Sequence, residues 1–485
     1  MVTSLLVLSL LAQASQDMQA QPDPSLAPYP AGNGSSQSAY PAPSFSPSYG
    51  GAPVHTKFRG GLEATALSMP SGTPGGSMDV YAVALPILAV DSGEDFGFEL
   101  GAELRLRVFD APPLQKDEDI HGLLRGRDWD ETSDFGQILR SLRVGSESNP
   151  ELPPIAFRAG VAELKTVGHG HLVSRYTNQG NPDYHPASAS LAFSVGPTRT
   201  ELFASDILAG RLFAGEVALD IGRLATPNES QWDRYHVALS AAHDFGLAGY
   251  STPPITMAQL DADATAYRND RVKVSGYLGG GARLLQATPS GVPSFGAEAG
   301  FEALGQVSPS VTLGGRLEGR KQGGGFRPGL FNATYELSRF SARGFSFGPI
   351  ANEQLPDDFS GYAEFQVGYG PADVSELSES DMPIPPRIFG TVAAEYYVWG
   401  RLDGDVALSV RFPGNRGTLI ARFAAIDALS NAPRFQGSGE LRYRFAKSFY
   451  VVATGGTVFF PQADHASLVR GAFGSIGFGA DFERR

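Results

Sequence analysis

The sequence predicts an all-β fold. It is a transmembrane, antiparallel up-and-down β-barrel of about 18 strands, with 16 the next choice, and it carries a short capped helix in an inserted segment. Three observations lead there. Period-two alternation of apolar and polar residues recurs from Lys57 to Phe482. Several segments approach the roughly 9–11 residues a strand needs to cross a bilayer, against about 5–6 in soluble proteins. Aromatics sit near segment ends (Phe109, Trp232, Tyr235, Tyr396, Tyr397, Trp399, Phe459, Phe460), where an interfacial girdle would place them.

Composition narrows the class. None of the 485 residues is Cys, so a disulfide framework, a Cys-based zinc site, a thiol nucleophile and an acylated cysteine are excluded. Charged residues make up 18% of the chain and the net charge is −13, too acidic for a general nucleic-acid binder. The longest apolar run, Tyr81 to Val90, has ten residues and is broken by Pro86, too short for a membrane helix. With 59 Gly and 42% apolar residues the chain is neither disordered nor fibrous.

From the N-terminus, residues 1–14 read as a secretory signal peptide. Leu5 to Ala12 is a short apolar run, followed by Ala12-Gln13-Ala14 as a cleavage signal, although no Lys or Arg precedes the run. Residues 15–55 read as a disordered tether. Between Gln21 and Pro53 there are eight Pro, seven Ser and four Gly, with Tyr29, Tyr40 and Tyr49 among them. Too little apolar surface is available there to offset the entropy of ordering. The tether is a plain spacer or a docking arm for an envelope partner.

Residues 56–485 form the barrel. In Phe98 to Phe109 one face is Phe98, Leu100, Ala102, Leu104, Leu106, Val108, and the other Glu99, Gly101, Glu103, Arg105, Arg107, Phe109. Val311 to Arg320 sets Val311, Leu313 and Leu317 against Arg316, Glu318 and Arg320. Asp405 to Phe412 sets Val406, Leu408 and Val410 against Asp405, Ser409 and Arg411, and Glu440 to Phe445 sets Leu441 and Tyr443 against Glu440, Arg442 and Arg444. An apolar face toward lipid and a charged face toward a water-filled lumen is the arrangement a membrane barrel requires, and closure satisfies every backbone group. The expected lumen lining is therefore Glu99, Glu103, Arg105, Arg107, Arg316, Glu318, Arg320, Arg411, Arg442 and Arg444. Gly196 to Arg199, Gln322 to Gly325 and Pro413 to Arg416 read as turns.

The last strand carries the most specific local pattern, Ser475, Gly477, Ala480 and Phe482, in the spacing polar-x-Gly-x-x-apolar-x-apolar; Glu483-Arg484-Arg485 follow the final aromatic. On this basis the chain resembles the outer-membrane β-barrel proteins of Gram-negative bacteria. The resemblance spans about 57–482. It implies residence in outer-membrane lipid and insertion by the barrel-assembly machinery, with Ser475, Gly477 and Phe482 as the signal. Asp128 to Phe135 and Val167 to His171 are also similar to segments of poorly characterised barrels of that class.

The inserted segment, 110–153, interrupts the alternation. Asp134 with Gln137 three residues on has capping-box spacing, and Phe135, Ile138, Leu139 and Leu142 then mark one face of a short helix ending near Arg140 and Arg143. Asp128, Trp129, Asp130, Glu131 and Asp134 precede or start it. These carboxylates lack the spacing of a calcium loop, so the expected role is a cap held to arginines. Alternation counted from the two termini places it at opposite ends, so its side stays open.

His169 and His171 share one face of an extended segment, with His185 nearby. They are the candidates for Zn²⁺ or Cu²⁺, while no cofactor is expected. Ser174 and Asn178 are the local candidates for a lipid-cleaving site with His171, but a strand places His171 and Ser174 on opposite faces. The expected function is a porin-like channel for small polar solutes with a partly filled lumen, not an enzyme. The alternative is a structural barrel anchoring an envelope complex, and an outer-membrane lipid-modifying enzyme is a distant third.

Overall fold

The computed structural model describes residues 56–70, 78–92, 96–109, 124–145, 155–178 apart from 163, 186–225, 231–246, 253–284 apart from 270, 294–340 apart from 309, 350, 356–370, 387–461 apart from 414, 415 and 432, and 468–484. The expected signal peptide and tether, residues 110–123 and 146–153 of the expected insertion, and His185 lie outside the described residues.

The wall begins with β1 (Lys57–Pro70), β2 (Met78–Asp91) and β3, which runs in two pieces, Phe96–Gly101 and Leu104–Phe109. Four short strands follow: β4 (Leu139–Val144), β5 (Ile155–Gly160), β6 (Ser188–Val195) and β7 (Thr198–Ala204). Then come β8 (Leu212–Asp220), β9 (Tyr235–Asp244), β10 (Ile255–Arg268), β11 (Val272–Leu284), β12 (Ser294–Ser308) and β13 (Val311–Lys321). The remainder are β14 (Phe359–Tyr369), β15 (Arg387–Tyr397), β16 (Leu402–Arg411), β17 (Gly417–Ile426), β18 (Arg434–Arg444), β19 (Phe449–Pro461) and β20 (Leu468–Arg484).

Every strand pairs antiparallel with its sequence neighbours, and β1 pairs with β20 from Phe58↔Arg484 to Ser68↔Gly474, so the sheet closes. Both pieces of β3 lie along β2, Val80 to Ala84 facing the second piece and Ile87 to Asp91 the first. Twenty-one strand segments therefore make 20 wall strands, not 18. One strand missed from sequence is β4. Its Leu139 and Leu142 fall at helical spacing after Phe135, yet Leu139 pairs with Leu100 and Leu142 with Ala159 in the ladder. Among the described residues of the insertion, helix is limited to the 3₁₀ turns Gly126–Asp128 and Thr132–Ile138, the latter with Glu131 as N-cap and Asp134 at the third position of a capping box. Ladder pairing overrides the 3.6-residue pattern there.

Alternation sets the two faces. On β10, Leu260 is 58% exposed while its neighbours Gln259 and Asp261 are buried; on β13, Leu317 points outward between the buried Arg316 and Glu318. Leu62, Leu88, Leu104, Leu106, Leu278, Phe301, Ile476 and Phe478 belong to the same apolar exterior. Tyr396 is half exposed, but Tyr397 is fully buried inside under Arg327 and does not belong to a girdle.

With an even strand number both termini of the wall lie at one rim, and every odd-numbered strand ends at the other. The connections 110–138, 161–187 and 322–358 follow β3, β5 and β13, so all three arise from the rim opposite the termini. In outer-membrane barrels the longer loops are extracellular.

Candidate functional site

Two of these connections fold inward and meet. The described stretch 164–178 is a hairpin in which Lys165 and Tyr176 exchange backbone bonds of 2.7 and 2.8 Å. Segment 322–340 enters beside it. Ser174 N–H donates to Phe331 O (3.0 Å), Phe331 N–H to Leu172 O (3.2 Å) and Gly329 N–H to His171 O (2.7 Å). The chain then enters helix α1 (Tyr335–Phe340). The run Gln322 to Gly325, read from sequence as a turn, does turn, with Phe326 N–H donating to Gly323 O (3.0 Å), and that turn opens the inward segment.

An apolar core fixes the pair to one side of the wall. Val167, Leu172, Val173, Tyr176, Phe326, Phe331 and Tyr335 pack on Phe203, Leu212, Ala214, Ala242, Ile255 and Met257 of β7 to β10. Each fully buried side chain of this size contributes about 1.5–3 kcal/mol, so the segments are folded parts of the protein. The sequence signal is the loss of alternation in Phe326 to Phe340, where four aromatics fall without a period of two.

Charge fixes the other side. Arg175, at φ 57°, spans from Glu364 (3.2 Å) on β14 to Asp405 on β16. Arg320 bonds Glu318 (2.5 Å) and Glu395 (2.8 Å), and lies 4.1 Å from the Tyr362 ring centroid. Arg327 reaches Asp403 of β16 at 2.9 Å, whereas Arg339 of α1 reaches Asp244 of β9, on the apolar side, at 2.8 Å. Arg316 donates to Tyr277 (2.8 Å) and to His169 O (2.7 Å), and pairs with Glu318.

The other lumen candidates occupy a different arc. Glu99 is held between Arg59 (2.5 Å) and Arg140 (3.2 Å). Arg105 bonds Glu103 (2.8 Å) and Asp128 (3.0 Å), and Arg107 lies 3.9 Å from Asp79. Arg442 bonds Glu63 (2.7 Å) and Glu440 (2.6 Å), and Arg444 chelates Asp481 (2.6 and 2.5 Å). Arg411, half-buried opposite Thr418 of β17, lies apart from this arc, on the same strand β16 as Asp403 and Asp405. These residues form separate pairs around the circumference, not one focus. A recess on this arc is lined by Arg59, Glu99, Arg140, Arg442, Tyr450 and Asp481.

The cap segment lies over the far rim. Asp128 is buried against Arg105 and Arg125, Ser133 bonds Asp206, and the exposed Glu131 meets Arg211 at 3.2 Å. Trp129 packs edge-on against Phe135, centroids 5.7 Å apart, and Asp130 is exposed. Asp134 is buried and accepts the Glu131 N–H (2.9 Å). Its removal from water, with Asp130 and Glu131 close, outweighs that bond and raises its pKa to about 7. Arg140 and Arg143 are not part of the cap; they stand on β4 in the wall, bonded to Glu99 and Asp91.

In the last strand Ser475 and Gly477 face inward and Phe482 is 64% exposed on the lipid side. Ser475 Oγ lies 2.6 Å from Thr454 Oγ1, and a Cβ on Gly477 would lie 2.0 Å from Ala64 O across the closing seam.

The two histidines are brought together with groups from the wall. His169 and His171 have centroids 5.9 Å apart, and around them stand Glu216, Asp261, Asp263 and Glu298 of β8, β10 and β12, none of which the sequence singled out. Asp261 and Asp263, two apart on a strand, are the signal that could have found them. Ser174 and Asn178 form no triad with His171. The Asn178 amide is spent on backbone, accepting from Ala162 N–H (3.0 Å) and donating to Ser205 O (2.9 Å), while His171 faces Glu298 and Asp261.

A closed antiparallel barrel with an apolar exterior and a charged interior is a transmembrane β-barrel of the outer-membrane type. No protein-family pattern and no curated protein matches the chain. Among solved structures it is similar to OccAB2 of Acinetobacter baumannii, with 10% identity over 90% of this chain and 100% of that one, TM-score 0.34. It is similar to the outer membrane protein OpdK of Pseudomonas aeruginosa, with 10% identity over 89% and 99%, TM-score 0.33. CdiB of Acinetobacter baumannii matches at 8% identity and TM-score 0.28, over 88% of this chain and 60% of that one. The class follows from the molecule's own closure and surface, not from these likenesses.

Proposed function

We propose that the protein is a porin-like channel for small polar solutes, in which the inward segments occupy one side of the lumen and leave a charged path along the other. The observation that carries this reading is the division of the wall. On β7 to β16 the inward groups are spent on the segments, through Met257, Arg320, Glu364, Asp403 and Asp405. On β18 Arg434 still reaches the segments, donating to Leu337 O (3.4 Å), but the bonds from Arg442 to Glu63, Arg444 to Asp481 and Arg59 to Glu99 run along the wall itself, and Arg59, Glu99, Arg442 and Asp481 line the recess. Opposed charges facing water set up a transverse field that favours dipolar solutes.

Uptake into liposomes tests this. Vesicles carrying the refolded chain should swell in small amino acids and short sugars and exclude large oligosaccharides. Swelling no faster than protein-free vesicles would reject the channel in favour of an anchoring barrel.

A further inference from the structure

We propose that His169, His171 and Asp261 bind a divalent first-row transition metal ion, with zinc the best-fitting chemistry, clamping the lumen hairpin to β10. The site begins in the Gly168-His-Gly-His171 run. Gly168 and Gly170 have φ of 55° and 78°, conformations other side chains rarely adopt. A Cβ on Gly168 would lie 1.9 Å from the Glu216 carboxylate, so the backbone is pressed onto the wall. That path presents both imidazoles to the inward face of β10.

Four polar atoms then converge without hydrogen bonds: His169 Nδ1, His171 Nε2 and both carboxylate oxygens of Asp261. They are not left to water, since His171 is fully buried and Asp261 only 3% exposed. Asp261 Oδ2 lies 3.8 Å from His169 Nδ1 and 3.6 Å from His171 Nε2, too far for hydrogen bonds. Ligands at zinc's usual 2.0–2.1 Å stand about 3.3 Å apart in a tetrahedron; Asp261 Oδ2 is within a few tenths of an ångström of that spacing from each imidazole, and all three ligand atoms lie within 4.8 Å of one another.

The outer groups suit a metal equally well. His171 Nδ1 faces Glu298, with an Arg316 nitrogen at 3.4 Å, and His169 Nε2 lies 3.5 Å from Asp263 Oδ2. Each imidazole thus turns one nitrogen to the shared point and the other to a carboxylate, the arrangement that orients histidine ligands in metalloproteins. Glu216, 3.8 Å from His169 Nδ1, adds further negative charge. A second group, His169, His236 and Asp263, is less apt, because His236 already bonds Asp263 (3.0 Å) and lies 3.4 Å from Asp233. Two imidazoles and a carboxylate select zinc, copper or nickel over magnesium or calcium, which take oxygen ligands. The His169 side chain is 30% exposed, but its Nδ1, the proposed ligand atom, is itself buried.

Chelator-washed full-length protein in detergent should be titrated with Zn²⁺ by calorimetry and with Co²⁺ by visible absorption. One equivalent should bind. His169→Ala and Asp261→Asn should each weaken binding at least 100-fold, and Asp263→Asn by 10- to 100-fold. Retention of heat-modifiable mobility on gels establishes that each variant is folded; should Asp261→Asn fail it, His169→Ala, with its partly exposed ring, decides alone. No saturable binding, or binding unchanged in folded His169→Ala, overturns the proposal.

Discussion

Arg175 in the lumen hairpin is ion-paired to Asp405 on β16, 230 positions further along the chain and across the lumen from the hairpin's apolar core. Both are largely buried, and Glu364 completes the bond set at 3.2 Å. The hairpin is therefore held from two sides, by apolar packing on β7 to β10 and by charge on β14 and β16. Breaking a buried pair from one side typically costs about 3–5 kcal/mol, because the remaining charge loses its partner. Arg175→Gln should loosen the hairpin and raise open-state noise in bilayer recordings while the barrel stays heat-resistant. Recordings identical to wild type would show that the apolar side alone holds it.

The cap should respond to pH. Asp134 is held up near pH 7 by burial, against an ordinary value near 3.8, so its folded state favours the protonated form. That contribution is fully present below the ordinary value and is lost as pH rises through about 7. Hydrogen exchange in 124–138 should be slower at pH 5 than at pH 8, after correction for the intrinsic rate, and Asp134→Asn should flatten the difference. Greater protection at pH 8 would contradict the assignment.

The two faces of the wall should tolerate charge differently. Leu260→Arg places a cation in lipid, at about 2–4 kcal/mol near the midplane, and should reduce assembled barrel in outer-membrane fractions. Ser438→Glu, on the inward row with Glu440 and Arg442 and opposite Arg422 of β17, should assemble normally. Equal behaviour of the two would contradict the inside-outside assignment.

We expect the barrel-assembly machinery to read the last strand through Ser475, Gly477 and Phe482. Deleting Asp481 to Arg485 removes the Arg444 partner and the lipid-facing Phe482, and should leave periplasmic degradation products on immunoblots. Deleting only Glu483 to Arg485 removes the final rungs opposite Phe58 and Arg59 and should leave assembly intact. Normal assembly of the longer truncation would place the signal elsewhere.

The wall was legible because lipid outside and charge inside force alternation residue by residue, as in Leu104-Arg105-Leu106-Arg107. Where a strand is short, the same reading fails. Phe135, Ile138, Leu139 and Leu142 match a helix, and only the pairing of Leu139 with Leu100, across an unread loop, makes β4 a strand. The interior was legible only in fragments. His169 and His171 could be noticed as a pair, but Asp261 and Glu298 join them through the path of the hairpin, which two positive-φ glycines set and no periodicity reports. The glycines of Gln322 to Gly325 mark a turn, which the structure has, but nothing in their pattern reports that Phe326 and Phe331 draw the following chain into the lumen.

Single-channel conductance after removal of the lumen hairpin tests the account most directly. Gly160 and Ser188 are paired in the β5–β6 ladder, so residues 161–187 can be replaced by a short Gly-Ser turn without moving the wall. The account predicts a heat-resistant barrel with conductance several-fold above wild type. A folded variant whose conductance equals that of wild type, or that conducts no current, would contradict it.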